Sequence, residues 1–154
     1  MRAILGVVAV LIGASAAWAD EEKVPPDRLP KAVATAVKKR FPMAKITAAV
    51  KETEDKKTTY EVTLKDGTST IDVDVTEAGT ITGWEKEIAA KDLPKAVADA
   101  VAAKYPNAKM KKVEELIKVT AGKEKLECYE VTVEVDGKDV EVEFLPDGKP
   151  KAKK

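Results

Sequence analysis

A chain with 27 Asp and Glu, 27 Lys and Arg and no histidine has few routes to catalysis. Without an imidazole there is no Ser-His-Asp or Cys-His nucleophile, no histidine zinc site and no histidine-ligated haem. The one cysteine, Cys128, therefore has neither a basic partner nor a second cysteine for an internal bridge. It reads as a thiol on the open side of a strand, and its only covalent option is an intermolecular disulfide. Asp66-Gly67-Thr68-Ser69 holds the letters of an aspartic-protease site in the wrong order and fits a turn instead. Asp72-x-Asp74-x-Thr76 begins like a calcium loop, but Glu77 stands where such a loop needs glycine. Alternating carboxylates on the wet side of a strand explain it better. The reading is a protein that is not an enzyme and that carries no cofactor and no metal.

Two features suit recognition rather than reaction. Thr59, Glu61, Thr63, Thr70, Asp72 and Asp74 alternate with apolar residues, so they share one polar face. Trp84 is the only tryptophan after residue 18. If Thr80–Ile88 is a regular strand, Trp84 faces outward, where a large aromatic anchors a protein partner. A bulge at Gly83 would instead turn it into the core.

The elements that position these residues are written twice. LPKAVATAVKKRFPMAK at 29–45 and LPKAVADAVAAKYPNAK at 93–109 share 11 of 17 positions. Each carries an apolar stripe at helical spacing: Leu29, Val33, Val37 and Phe41, then Leu93, Val97, Val101 and Tyr105. Pro30 and Pro94 fit a first turn, Asp27 and Asp92 are placed to cap it, and Pro42 and Pro106 end the helix. TTYEVTL at 58–64 answers ECYEVTV at 127–133, now offset by 69 rather than 64, which requires a five-residue insertion. Period-two runs flank Asp66-Gly67 and Asp136-Gly137, predicting two hairpins. Ile46–Glu52 predicts a further strand. Its counterpart, Lys111–Thr120, fits a strand or a helical turn. Thr80–Ile88 predicts a fourth strand in the first copy; in the second it is short or missing.

The predicted fold is α+β, two tandem repeats, each one helix packed on an antiparallel sheet of three to four strands. No spacer separates the copies at Ala89-Ala90-Lys91-Asp92, so rigid packing is expected, with one continuous sheet an option. Residues 20–88 form the first repeat, 89–148 the second, and 149–154 a basic tail.

Residues 1–19 read as a secretory leader. Arg2 precedes the short apolar run Ala3–Ala17, and Ala17-Trp18-Ala19 fits the small-residue cleavage rule, so cleavage is expected after Ala19. The expected location is periplasmic or secreted. With the leader removed no membrane span is expected, and the balanced charge offers no footprint for nucleic acid. A monomer is expected, with a Cys128-linked dimer as the covalent alternative.

The ordered motifs Leu-Pro-x-Ala-Val, Phe41-Pro42, Tyr60-Glu61-Val62 and Ala78-Gly79-Thr80-Ile81 with Trp84–Ile88 resemble the PepSY-like, β-lactamase-inhibitor-like family. Tyr105-Pro106 and Tyr129-Glu130-Val131 repeat part of the set. The resemblance implies small exported α+β modules without chemistry of their own, related to domains that restrain peptidases. Similar tandem inhibitors bind an enzyme across the sheet. The functional expectation is a non-catalytic exported binding module, an inhibitor or modulator of an envelope or secreted enzyme of peptidase type. The alternative is an envelope sensor that binds a small ligand or ion in the cleft between the repeats.

Overall fold

The computed structural model describes residues 20–152. The leader read in residues 1–19 lies outside them, as do the last two residues of the basic tail.

The apolar stripes form two ten-residue helices, α1 (Lys31–Arg40) and α2 (Lys95–Lys104). Neither has a side-chain cap: the N-cap residues are Pro30 and Pro94. Asp27 and Asp92, expected to cap them, instead lie in separate 3-10 turns at Pro26–Arg28 and Ala90–Asp92. The prolines stop the helices as predicted. Pro42 and Pro106 hold Phe41 and Tyr105 at φ −124° and −130°, outside the helical region. Helices this short are marginal alone and persist because one stripe is buried. Val33 and Val97 are inaccessible to solvent.

Eight strands form one antiparallel sheet in chain order: β1 (Asp20–Lys23), β2 (Lys45–Glu54), β3 (Lys57–Asp66), β4 (Ser69–Thr76), β5 (Ile81–Glu87), β6 (Lys109–Thr120), β7 (Lys123–Val135) and β8 (Lys138–Phe144). The two halves are thus continuous, joined where Gly83–Glu87 of β5 pair with Glu114–Lys118 of β6. The ambiguous run at 111–120 is strand. β1 was not legible, because DEEK carries no apolar alternation.

Two cores lie on the helix side. Val33 and Val37 meet Tyr60, Val62, Leu64, Ile71, Val73 and Val75; Val97 and Val101 meet Val113, Tyr129, Val131, Val133 and Phe144. Gly79 and Gly148 lock each core to its helix. They hold φ of 84° and 83°, and a Cβ at either would collide with the carbonyl oxygen of Ala32 or Ala96 in the helix's first turn. Only glycine combines that backbone conformation with that approach.

The five-residue insertion lies in the β6–β7 hairpin, which is two residues longer on one arm and three on the other than β2–β3. Its tip carries Glu124, which reaches back across the joint. Both carboxylate oxygens accept from Arg40 at the end of α1, at 2.5 and 2.9 Å.

Candidate functional site

With both helices on one side, the register fixes what the opposite, open side presents. One row runs Val50, Glu61, Asp74, Gly83, Lys118, Lys125. The next runs Ala48, Thr63, Asp72, Glu85, Leu116, Cys128. A third joins Glu87, Glu114, Glu130 and Glu143 across the second half.

The six polar residues singled out in the sequence come together on β3 and β4. Glu61 pairs Asp74, Thr63 pairs Asp72, Thr59 pairs Thr76, and Thr70 pairs Lys65. The Thr63 hydroxyl donates to Asp72 Oδ1 at 2.7 Å, and Lys65 Nζ donates to Thr70 Oγ1 at 3.2 Å.

Trp84 is not on this face. Asp74 pairs Gly83 while the next residue, Val75, pairs Ile81, so Thr82 is an extra residue in β5. That bulge reverses the parity downstream and sends Trp84 to the helix side. There its ring meets Phe41 edge-on at 5.7 Å, and the Arg40 guanidinium lies 5.3 Å from its centroid. The outward anchor expected from a regular strand is replaced by an aromatic–cation cluster at the joint. The indole Nε1 is buried without a hydrogen bond. Glu124 is held below its ordinary carboxylate value chiefly by the Arg40 hydrogen bonds, and least by this N–H, whose geometry falls short of a hydrogen bond. Trp84→Ala is expected to lower stability by about 2 kcal/mol in urea unfolding, from lost packing and cation–π contact, and to leave binding at the open face unchanged.

Cys128 does point to the open side, yet it is wholly buried. The tail crosses it: Lys151 Nζ lies 3.4 Å from Sγ, 3.0 Å from Glu143 and 3.5 Å from Glu127. Burial first, then Glu143, pushes the thiol up to about 11. An intermolecular disulfide would require this tail to lift away.

The residues that sequence reasoning left unnamed are the central acids. Glu130 was reachable through the repeat, as the counterpart of Glu61 at offset 69. Glu114 was not, because the run containing it had no assignable face. Glu114 is 3% exposed, and its carboxylate is 2.7 Å from Lys112 Nζ. Burial, then repulsion from Glu114 and Glu130, pushes Glu85 to about 8. Burial, then Glu141 and Glu114, pushes Glu130 to about 7. Glu61 rises to about 7 by burial and then Asp72, and Asp74 to about 6 by burial and then Glu52. Water reaches Glu61 and Asp74 more freely, so their shifts count for less.

Among the described residues no group of His, Cys, Asp and Glu is arranged to hold a metal ion. No helix among them is long and apolar enough to cross a membrane. The hollow at the β5–β6 joint, beside Asp74, Glu85, Lys118 and Glu127, measures about 200 Å³. That is below the usual range of small-molecule pockets. The arrangement can offer carboxylates to a cationic surface.

The family model described as "Putative beta-lactamase-inhibitor-like, PepSY-like" matches the chain twice, at residues 13–83 and 80–151. The chain belongs to the PepSY-like family. The tandem match agrees with the duplication read in the sequence. Solved structures with similar folds include a BLIP-like protein from Bacteroides fragilis, 25% identical, covering 85% of this chain and 86% of that one, with a TM-score of 0.59. A structure from Bacteroides eggerthii described under "putative periplasmic proteins" is 19% identical, with a TM-score of 0.63 over 79% of this chain and 84% of its own. A DUF2874 family protein from Bacteroides uniformis is 17% identical, with a TM-score of 0.61 over 79% and 85%. No curated protein matches the chain. The PepSY-like, BLIP-like kinship supports a non-catalytic binding module.

Proposed function

We propose that this PepSY-like protein is a tandem of two units, 20–88 and 89–148, each a helix over its own strands, exported to the periplasm or beyond. It binds an envelope or secreted enzyme of peptidase type and modulates it by covering it with the open sheet face. The observation that carries this reading is the composition of that face: carboxylates from every strand between β2 and β8 lie on a side that no helix covers. Such a face selects a partner rich in Lys and Arg through charge complementarity, which sets encounter rate and specificity more than raw affinity. The leader in residues 1–19 and the periplasmic description of the Bacteroides eggerthii structure support export.

The test is affinity capture from an envelope extract with residues 20–154 as bait, beside a Glu61→Gln/Asp74→Gln/Glu130→Gln variant. An enzyme retained by the first and lost by the second, with its activity lowered by the bait, is the expected result. Equal capture by both baits would end the open-face reading. A captured protein whose elution ignores salt would do the same, since an ion-paired interface weakens as salt rises.

A further inference from the structure

The two copies of the unit differ in what covers their last long strand. Ile71, Val73 and Val75 of β4 correspond, at offset 69, to Val140, Val142 and Phe144 of β8. In the first copy all three are sealed, at 1%, 0% and 0% exposure. β5 pairs along the outer edge of β4, and Trp84, opposite Val73, packs over the core and against Phe41. In the second copy Phe144 is sealed, but Val140 and Val142 are only half-buried.

The second copy sets out on the same path. Thr76 N–H donates to Thr80 O at 2.9 Å, and Leu145 N–H donates to Lys149 O at 2.8 Å in the matching turn. Pro150 bridges Phe144 as Ile81 pairs Val75, and Lys151 N–H donates to Glu143 O at 2.9 Å. Beyond that bond no strand among the described residues pairs with the outer edge of β8. Antiparallel bonding alternates, so Glu141 and Asp139 are the next residues whose N–H and C=O point outward. Tyr105, the counterpart of Phe41, has no aromatic ring against it among the described residues.

We infer that the outer edge of β8 takes up an extended segment of another protein as an added antiparallel strand, aromatic opposite Val142 and basic opposite Glu141. The aromatic residue does for Tyr105 what Trp84 does for Phe41. The basic residue follows from charge: Asp139, Glu141 and Glu143 line the open side of β8, and Glu143 already accepts Lys151 at 3.0 Å. A second copy of this chain fits badly, because two antiparallel β8 strands would oppose acid to acid. Strand addition draws affinity from main-chain hydrogen bonds and specificity from alternate side chains, as required here. This inference concerns a different surface from the open-face reading and does not rest on it.

The probe is a fluorescently labelled peptide copying Trp84–Ile88, the end of β5 with its next residue, whose counterpart edge on β8 is free, with lysine in place of Glu85 and Glu87, titrated against residues 20–154 by anisotropy. Saturable binding is expected, weakened roughly tenfold or more by Glu141→Pro, which removes an outward N–H while the bonds to β7 stay. Tyr105→Ala should weaken it several-fold. If Glu141→Pro does not fold, Glu141→Lys replaces it. That variant should lose the lysine peptide and gain the peptide with its native glutamates. The triple variant at Glu61, Asp74 and Glu130 should still bind the peptide, which separates this edge from the open face. No binding, or equal binding by wild type and both Glu141 variants, overturns the inference. A chain that dimerises in sedimentation and becomes monomeric on Glu141→Pro also overturns it, assigning the edge to a second copy.

Discussion

Moving from about pH 8.5 to about pH 5 should stabilise this protein, raising its urea midpoint where acid ordinarily begins to weaken a fold. Glu85 carries most of the effect. Its carboxyl titrates near 8 in the folded chain, against an ordinary value of 4.5. Between those values the native state holds a proton that the unfolded state has released, so stability falls as pH rises. The stabilising proton is fully in place in both states below the unfolded value, and the native advantage is lost as pH climbs from 4.5 to 8. Glu130 acts in the same direction between 4.5 and 7. At about 1.4 kcal/mol per pKa unit the two could supply more, but coupling and water reduce the net gain to about 3 kcal/mol. That moves a urea midpoint by about 1–2 M. Below about pH 4 the trend reverses, because Glu124, held low by Arg40, must then take up a proton. Glu85→Gln should raise stability at about pH 8.5 and remove most of the pH dependence. A midpoint that is flat or falls on acidification would show that the row is hydrated and fully ionised.

A row of carboxylates whose ionisation costs stability is a poor choice for a face that only meets water. Binding a cationic surface would relieve the repulsion, so stability given up in the free protein returns on association. Lys112 is the internal counterweight. Its ammonium sits 2.7 Å from the nearly inaccessible Glu114. Lys151 does the same for Glu143 at the far end of its row, 3.0 Å away, while Glu85 and Glu130 have no ion-pair partner among the described residues and gain one only from outside.

The parts of this fold legible in the sequence were those set by local pattern. The i, i+4 stripe through Val33 and Val37 gave α1, and Phe41-Pro42 gave its end. Hairpins followed from alternation around Asp66-Gly67 and Asp136-Gly137. Period two placed Glu61, Thr63, Asp72 and Asp74 on one face, although the offset of 69 that would have carried that face to Glu130 was not followed. What escaped depends on register. The extra residue Thr82 exists only in the way Asp74 and Val75 pair with β5, so parity counted through it puts Trp84 on the wrong side. β6 was ambiguous because an extra residue, Lys111, breaks its alternation, and because Leu116 lies on the open side while Val113 and Ile117 lie on the helix side, so its apolar residues obey no single period. The burial of Cys128 depends on Lys151, 23 residues away, and no local pattern records it.

Phe144→Ala should cost about 4 kcal/mol and lower the melting temperature by about 10 °C or more. The ring is 1% exposed in the second core, and its removal leaves a cavity between Tyr129, Val131 and α2 that rigid strands cannot close. The informative reading is which probe moves. Trp84 reports on the first half at the joint, about as far from Phe144 in chain order as the repeat is long. Its fluorescence and the far-UV dichroism should nevertheless lose their midpoints together. The β5–β6 seam pairs five residues on each side, and Arg40 clamps Glu124 across it. Neither half can melt without stripping hydrogen bonds from the other's edge strand, and an exposed long edge is itself costly. A tryptophan midpoint that stays put while the dichroism splits into two steps would mean that each core folds alone. The duplicated units would then be neighbours in one sheet without sharing one stability.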